Sequence, residues 1–244
     1  MKILLLIPTF NERGNITALI RELLMLEQFF KILVIDDRSP DGTADEVLKH
    51  FGHMERVSLI QREQKLGLGT AYSEGFRFAI ASGFSAVISM DADFSHDPKR
   101  VPNLVEAAFG AEIVIGSRYV SGGSVVNWNL GRRWLSRIAN FMAQELLRLN
   151  VKDCTSGFRL YHCSTLRDLA FETIQADGYS YLVEILFRAK RHGMTIREVP
   201  IVFTERRHGK SKISRKEIFK AITTLLRLRG TKIVASSTQK GALP

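Results

Sequence analysis

Cysteine is scarce in this chain: two in 244 residues, Cys154 and Cys163, on either side of a Gly-containing segment and with no metal-ligand spacing. That scarcity argues against a disulfide scaffold or a zinc site and suits small buried side chains in a reducing, cytosolic compartment. Long apolar runs are missing too. No stretch approaches the roughly 20 residues of a membrane span, and Met1 to Ile7, cut off by Pro8, is too short for the core of a signal peptide. It reads as a first strand. In Lys65 to Tyr72 (KLGLGTAY) the third glycine of a dinucleotide fingerprint is absent, and no Walker lysine loop occurs, so the segment reads as a glycine-rich entry to a helix over 71–81. Zinc fingers, RNA-recognition signatures and aromatic-basic interleaving are absent as well, which argues against nucleic acid as a partner. Neither internal repeats nor low-complexity segments occur.

What is present is apolar residue in quantity, 45% of the chain, enough for one well-cored domain over 1–230 followed by a flexible polar tail over 231–244. Short runs rich in Ile, Val and Leu (2–7, 31–36, 56–60, 86–90 and 112–116) alternate with helical patterns, and their lack of polar alternation suits a sheet covered on both faces. An α/β layer fold follows. Ile16, Leu19, Ile20, Leu23 and Leu24 give a helix over 15–26 a core-facing stripe. Leu135, Ile138, Met142, Leu146 and Leu149 repeat that pattern over 132–149. The net charge of +10 is concentrated: between Arg188 and Lys232 there are fourteen Lys or Arg against three Glu, and the remainder is close to neutral. Such a region attracts polyanions, including lipid headgroups and phosphorylated substrates.

Asp91-Ala92-Asp93 lies where the run 86–90 gives way to a turn-rich stretch. Strand alternation predicts both carboxylates on one side and Ala92 on the other. Two such oxygens can hold magnesium or manganese, with phosphate oxygens from a substrate completing the shell. Glu12 after the first strand and Asp37 after the second mark two further acidic junctions, and in open parallel sheets ligands bind at these carboxyl ends. Asp41 and Thr43 read as helix caps.

The ordered motifs PTFNE (8–12), VIDDRSPDGT (34–43), LGLGTAYSEG (66–75), DADFSHDP (91–98), IGSRY (115–119), TSGFR (155–159) and FTERRHGKSKI (203–213) resemble family 2 glycosyltransferases, and among them the polyprenyl (dolichyl) phosphate mannosyltransferases. The resemblance spans Met1 to about Leu228. It implies a GT-A fold, a Rossmann-like nucleotide-binding sheet, and inverting transfer of mannose from GDP-mannose to polyprenyl phosphate. UDP-glucose as donor, or a different acceptor, is the alternative on the same scaffold. By the same resemblance, Pro8, Phe10, Glu12, Ile35, Asp37, Asp91 and Ala92 are donor contacts, with Phe10 standing where the family usually has Tyr. Asp93 is the main metal ligand, and Ser95 stands where many relatives place Gln as a second. Arg118, Arg206, Ser211 and Lys212 match phosphate-handling positions. Their chemistry suits that role, because donor diphosphate and acceptor phosphate crowd several negative charges into one cleft. Asp153 and Glu184 are either orienting groups or buried structural carboxylates.

Ser214 to Glu217 form a capping box, and Ile218, Phe219, Ile222, Leu225 and Leu226 give a helix over 214–229 an apolar face, with Lys220, Arg227 and Arg229 elsewhere. Both an interfacial membrane helix and a core-packed helix with a solvated outer face fit that pattern. Some relatives of this type carry transmembrane helices beyond this point. The expectation here is peripheral attachment to the cytoplasmic face of a membrane, directly or through a membrane-anchoring partner protein.

Overall fold

The computed structural model describes residues 1–26, 30–205 and 215–230, with side chains in the last segment from Lys220 onward. The first half of the chain runs β1 (Ile3–Thr9), α1 (Arg13–Leu24), β2 (Phe30–Asp36), α2 (Thr43–Phe51), β3 (Val57–Gln61), α3 (Leu68–Ala81), β4 (Ala86–Ser89), α4 (Val101–Ala107) and β5 (Ile113–Ser117). The second half continues with β6 (Ser124–Val126), α5 (Leu130–Leu147), β7 (Arg159–His162), α6 (Cys163–Asp168), α7 (Tyr179–Arg191), β8 (Ile196–Pro200), β9 (Val202–Thr204) and α8 (Arg215–Gly230). Seven strands make one sheet in the order β3-β2-β1-β4-β7-β5-β8, while β6 and β9 pair separately.

Because β1 is covered on both sides, its pleat divides the core into two layers. Ile3, Leu5 and Ile7 pack with Ile16 and Leu19 of α1, Val47 of α2 and Leu104 of α4, whereas Leu4 and Leu6 pack with Tyr72 and Phe76 of α3 and Leu182 of α7. A Cβ on Gly75 would sit 2.4 Å from the Leu6 methyl carbons, so α3 lies as close to the sheet as a glycine permits. Both cysteine thiols are free and buried, and burial pushes Cys154 up to about 12, which keeps it protonated and inert.

The helix expected over 132–149 starts and ends two residues earlier, and its stripe is core only in part: Met142 and Leu146 pack against buried residues, and Leu149, beyond the helix, is buried. Asn140, Ala143 and Leu147 are its buried residues, while Leu135 and Ile138 are exposed. On α8 the core-packed reading holds for Leu225 and Leu228, which are buried against the layer that contains α5 and α7. Lys220, Leu226, Arg227 and Arg229 are exposed. Arg227 is no simple surface cation, since its Nη2 donates to buried Glu184 Oε2 at 2.7 Å. Ser214, the side chains of Ile218 and Phe219, and the tail over 231–244 lie outside the described residues.

Candidate active site

β1 runs parallel to both β2 and β4, and β7 is antiparallel to both β4 and β5. The carboxyl ends of β1, β2, β4 and β5 therefore share one edge of the sheet, and the TSGF segment enters β7 at that same edge. Sequence-distant motifs meet there. The loops after β1 and β2 are laced together: the Asn11 N–H donates to Ser39 Oγ, the Glu12 N–H to Thr43 Oγ1 and the Arg13 N–H to Asp41 Oδ2. Asp41 Oδ1 also accepts from the Thr43 N–H and hydroxyl, but the cap of α2 is Gly42, in the left-handed conformation and without a side-chain cap hydrogen bond, so neither Asp41 nor Thr43 is the cap expected from the sequence.

Asp37 is buried and already occupied. Its Oδ1 accepts from Arg62 Nη1 at 2.8 Å and from the Leu66 N–H, and its Oδ2 accepts from the Gly67 N–H. The carboxylate thus pins the LGLG loop, with Arg62 bridging on to Glu74. Ile35 is fully buried in the core, so only its backbone can face a ligand. Phe10 is half-buried, and Lys65 Nζ stands 3.7 Å over its ring. Glu12 Oε2 accepts from Asn15 Nδ2.

Strand β4 ends at Ser89, so Asp91 to Asp93 lie beyond it in a bend, with Phe94 at a φ of 62°. The pleat expected to align the two carboxylates is not what orients them. Ala92 packs into the core, Asp93 is buried with Oδ1 accepting from the Ser95 N–H at 3.0 Å, and the Asp91 carboxylate is more open. Both carboxylates act on His96. Its Nδ1 accepts from the Asp91 N–H, so a neutral ring carries its proton on Nε2. Burial lowers the His96 pKa, against opposing pulls from Asp91 and Asp93. A Cβ on Gly157 would come within 3.3 Å of Asp91 Oδ1, which shows how closely the TSGF backbone approaches this carboxylate. Asp91, Asp93 and the Ser95 hydroxyl are hard oxygen donors that fit magnesium or manganese. No group of three or more His, Cys, Asp or Glu side chains gathers among the described residues, so such an ion fits as one shared with a diphosphate.

Arg118, immediately after β5, is held by Asp153. Its Nε and Nη2 donate to the two carboxylate oxygens at 2.7 and 2.6 Å, its backbone N–H donates to Oδ2, and Nη2 also reaches Thr155 Oγ1. Burial alone would raise the Asp153 pKa; the guanidinium overrides this and holds it below the ordinary carboxylate range. Arg118 in turn stays charged. Asp153 thus clamps the Arg118 side chain and backbone in a buried ion pair. Glu184 is a structural carboxylate, tied to Arg188 Nη2 and Arg227 Nη2 at 2.7 Å each.

Beside these groups opens a cavity of about 190 Å³. Asp91, His96, Arg118 and Arg132 mark its polar end, and Leu135, Met142, Val183 and Ile222 are among its apolar walls. Trp128 and Phe203 line it too, with the Arg118 guanidinium 5.6 and 5.2 Å from their rings. The indole Nε1 of Trp128 and Nε2 of His96 are buried without a hydrogen-bond partner among the described residues. Trp128, Arg132, Ser136 and His96 are site residues that motif reading passed over. His96 sits inside DADFSHDP and could have been noticed there; Arg132 and Ser136 reach the cavity through the helical rise of α5, for which a linear motif carries no signal. Arg206, Ser211 and Lys212 lie outside the described residues. β9 leads toward them, and just before them Glu205 Oε1 pairs with Arg132 Nη1 at 3.2 Å.

Comparison with known proteins agrees with this arrangement. The chain is 39% identical over 227 residues to an undecaprenyl-phosphate mannosyltransferase of Micrococcus luteus, covering 93% of each chain. It is 40% identical over 223 residues to a polyprenol monophosphomannose synthase of Mycolicibacterium smegmatis, covering 90% of this chain and 83% of that one. A solved glucosyl-3-phosphoglycerate synthase of Mycobacterium tuberculosis, in complex with Mn2+, UDP and glucosyl-3-phosphoglycerate, shares the fold with a TM-score of 0.67 at 22% identity, over 94% of this chain and 80% of that one. Staphylococcus aureus TarS with UDP-GlcNAc does so at 0.65 and 14%, over 96% and 68%. The fold is GT-A. A model of the family described as glycosyl transferase family 2 matches residues 5–170, and with relatives this similar along nearly its whole length, the chain belongs to that family of enzymes.

Proposed function

We propose that this glycosyltransferase moves mannose from GDP-mannose to a polyprenyl phosphate, with inversion at the anomeric carbon. The observation that carries this reading is the cavity, which joins a cationic end at Arg118 to apolar walls from α5, α7 and α8. A phosphate on an isoprenoid chain has that same division. The names of the two relatives near 40% identity point to the same acceptor class and sugar.

In this scheme a phosphate oxygen of the acceptor attacks the anomeric carbon as the bond to the GDP oxygen breaks, turning an α-linked donor into a β-linked product. The attacking group is already an anion at neutral pH, so no strong general base is required. Arg118, immobilised by Asp153, holds the incoming phosphate and favours charge alignment. Asp93 would hold the divalent ion, magnesium or manganese, which when bound supplies charge neutralisation for the departing diphosphate, while Asp91 faces the donor. Pro8, Phe10, Glu12, Ile35, Asp37, Asp91 and Ala92 are the donor contacts in this reading, Ile35 through its backbone and Asp37 through the loop it pins. Arg206, Ser211 and Lys212 supply further phosphate contacts in the same reading, and Ser95 a second oxygen for the metal.

No described helix is long and apolar enough to cross a membrane. Attachment is proposed as peripheral, on the cytoplasmic face, with a membrane-anchoring partner as an additional means. The test is incubation of the purified chain with labelled GDP-mannose or UDP-glucose, magnesium or manganese, and polyprenyl phosphate in detergent. Metal-dependent, organic-extractable label from GDP-mannose is expected. Label from UDP-glucose alone would reassign the donor, and none from either would overturn the reading.

A further inference from the structure

By sequence the C-terminal helix suits either a membrane interface or the core, but among the described residues a set of exposed apolar side chains lies instead on α5. Leu130, Trp134, Ile138 and Phe141 of α5 are 73%, 63%, 49% and 62% exposed. Their spacing of four, four and three residues stacks them on a single stripe of the helix. Isolated exposed apolar residues need no explanation, but a rigid stripe with two large aromatics does.

Three features around the stripe say what covers it. On one flank stand Arg133 and Arg137, both exposed, which together with Arg118 line a second cavity beside the site. On the other flank, Leu135 and Met142 turn into the acceptor cavity, and Ile138 belongs to both the stripe and the cavity wall. The inner side of the helix, Asn140, Ala143 and Leu147, is packed, so α5 is held rigidly with this surface outward. An apolar strip edged with guanidinium groups matches the boundary between acyl chains and anionic headgroups, where Trp is at home.

We infer that α5 is the membrane-docking face of the molecule: Trp134, Ile138 and Phe141 enter the interface of an anionic bilayer, Arg133 and Arg137 meet its headgroups, and the acceptor cavity opens at Ile138 directly onto the lipid. This rests on the lipid-phosphate reading of the cavity and adds the surface and the lipid charge it requires. Apolar burial near the cavity mouth lets a membrane-borne prenyl chain enter without crossing water. α8, tied down through Glu184 and Arg227, walls the cavity and is not the principal anchor.

The test is co-sedimentation of the full chain with vesicles of phosphatidylcholine alone or mixed equally with phosphatidylglycerol. Wild type binds the mixed vesicles more tightly than the neutral ones, and the Trp134→Glu/Phe141→Glu variant binds them roughly tenfold or more weakly. Neither residue lines the acceptor cavity, so the variant keeps its melting temperature and its transfer to acceptor dissolved in detergent. Trp134→Ser/Phe141→Ser serves as the milder companion should the charged pair unfold. Unchanged vesicle binding by both variants overturns the inference. So does a concentration-dependent dimer that the variants abolish while wild type ignores vesicles, since the stripe is then a self-association surface. Absence of transfer by wild type in detergent is a failure of the acceptor reading alone, recognisable because vesicle binding is measured separately.

Discussion

At the scale of single residues, the two carboxylates of the DAD triplet have different surroundings and so different expected jobs. Asp93 is buried and fixed by the Ser95 N–H, whereas Asp91 faces the cavity beside His96. Asp93→Ala should reduce metal-dependent turnover by roughly a hundredfold or more, with little change in thermal melting. Turnover within a fewfold of wild type would remove Asp93 from the metal site. Asp153 makes a prediction about acid. Its folded pKa lies below the unfolded value of about 3.9, so the stabilisation it gives is complete above that pH and is lost as pH falls through the depressed value. Asp153→Asn should therefore flatten the melting temperature against pH below about 4, and an unchanged acid limb would show that the Arg118 pair is not responsible. The same variant leaves Arg118 unclamped, and breaking a buried pair typically costs about 3–5 kcal/mol.

The elements show why some of this was legible in the sequence and some was not. Strands β1, β2, β4 and β5 were readable because burial on both faces demands unbroken apolar runs, and the weaker run at β3, half-buried at the sheet edge, was readable with them. Glu12, Asp37, Asp91 and Arg118 followed, since each stands just after such a run. α5 misled because its apolar residues satisfy a helical period whether they face the core, a cavity or the outside, and periodicity is blind to that difference. Its buried residues are Asn140, Ala143 and Leu147, beside the partly buried Met142 and Leu146, and Asn140 and Ala143 carry no obvious signal. α8 was ambiguous for a related reason: Arg227 looks like a surface charge until Glu184, 43 residues earlier, is found within 2.7 Å. Glu184→Gln should loosen α8, costing about 2 kcal/mol in chemical denaturation and speeding amide exchange across the helix. Exchange in α8 no faster than in wild type would mean that Leu225 and Leu228 suffice to hold it.

For the whole molecule, the sheet topology does the gathering. Four parallel strand ends bring acidic, glycine-rich and cationic segments to one edge, and α5, α7 and α8 enclose an apolar space next to it. On the proposed reading, such a division separates two substrates of unlike chemistry, a charged nucleotide sugar over the sheet edge and a lipid phosphate in the cavity. The most direct measurement is steady-state mannose transfer by wild type and Leu135→Glu with each substrate varied in turn. Leu135 lines the cavity and is 38% exposed, so a charge there should leave the fold intact. The account predicts a KM for polyprenyl phosphate raised by roughly ten- to a hundredfold, as expected for placing a carboxylate against the prenyl chain, with the KM for GDP-mannose unchanged. Equal acceptor KM values for the two proteins, or an effect confined to GDP-mannose, would contradict it.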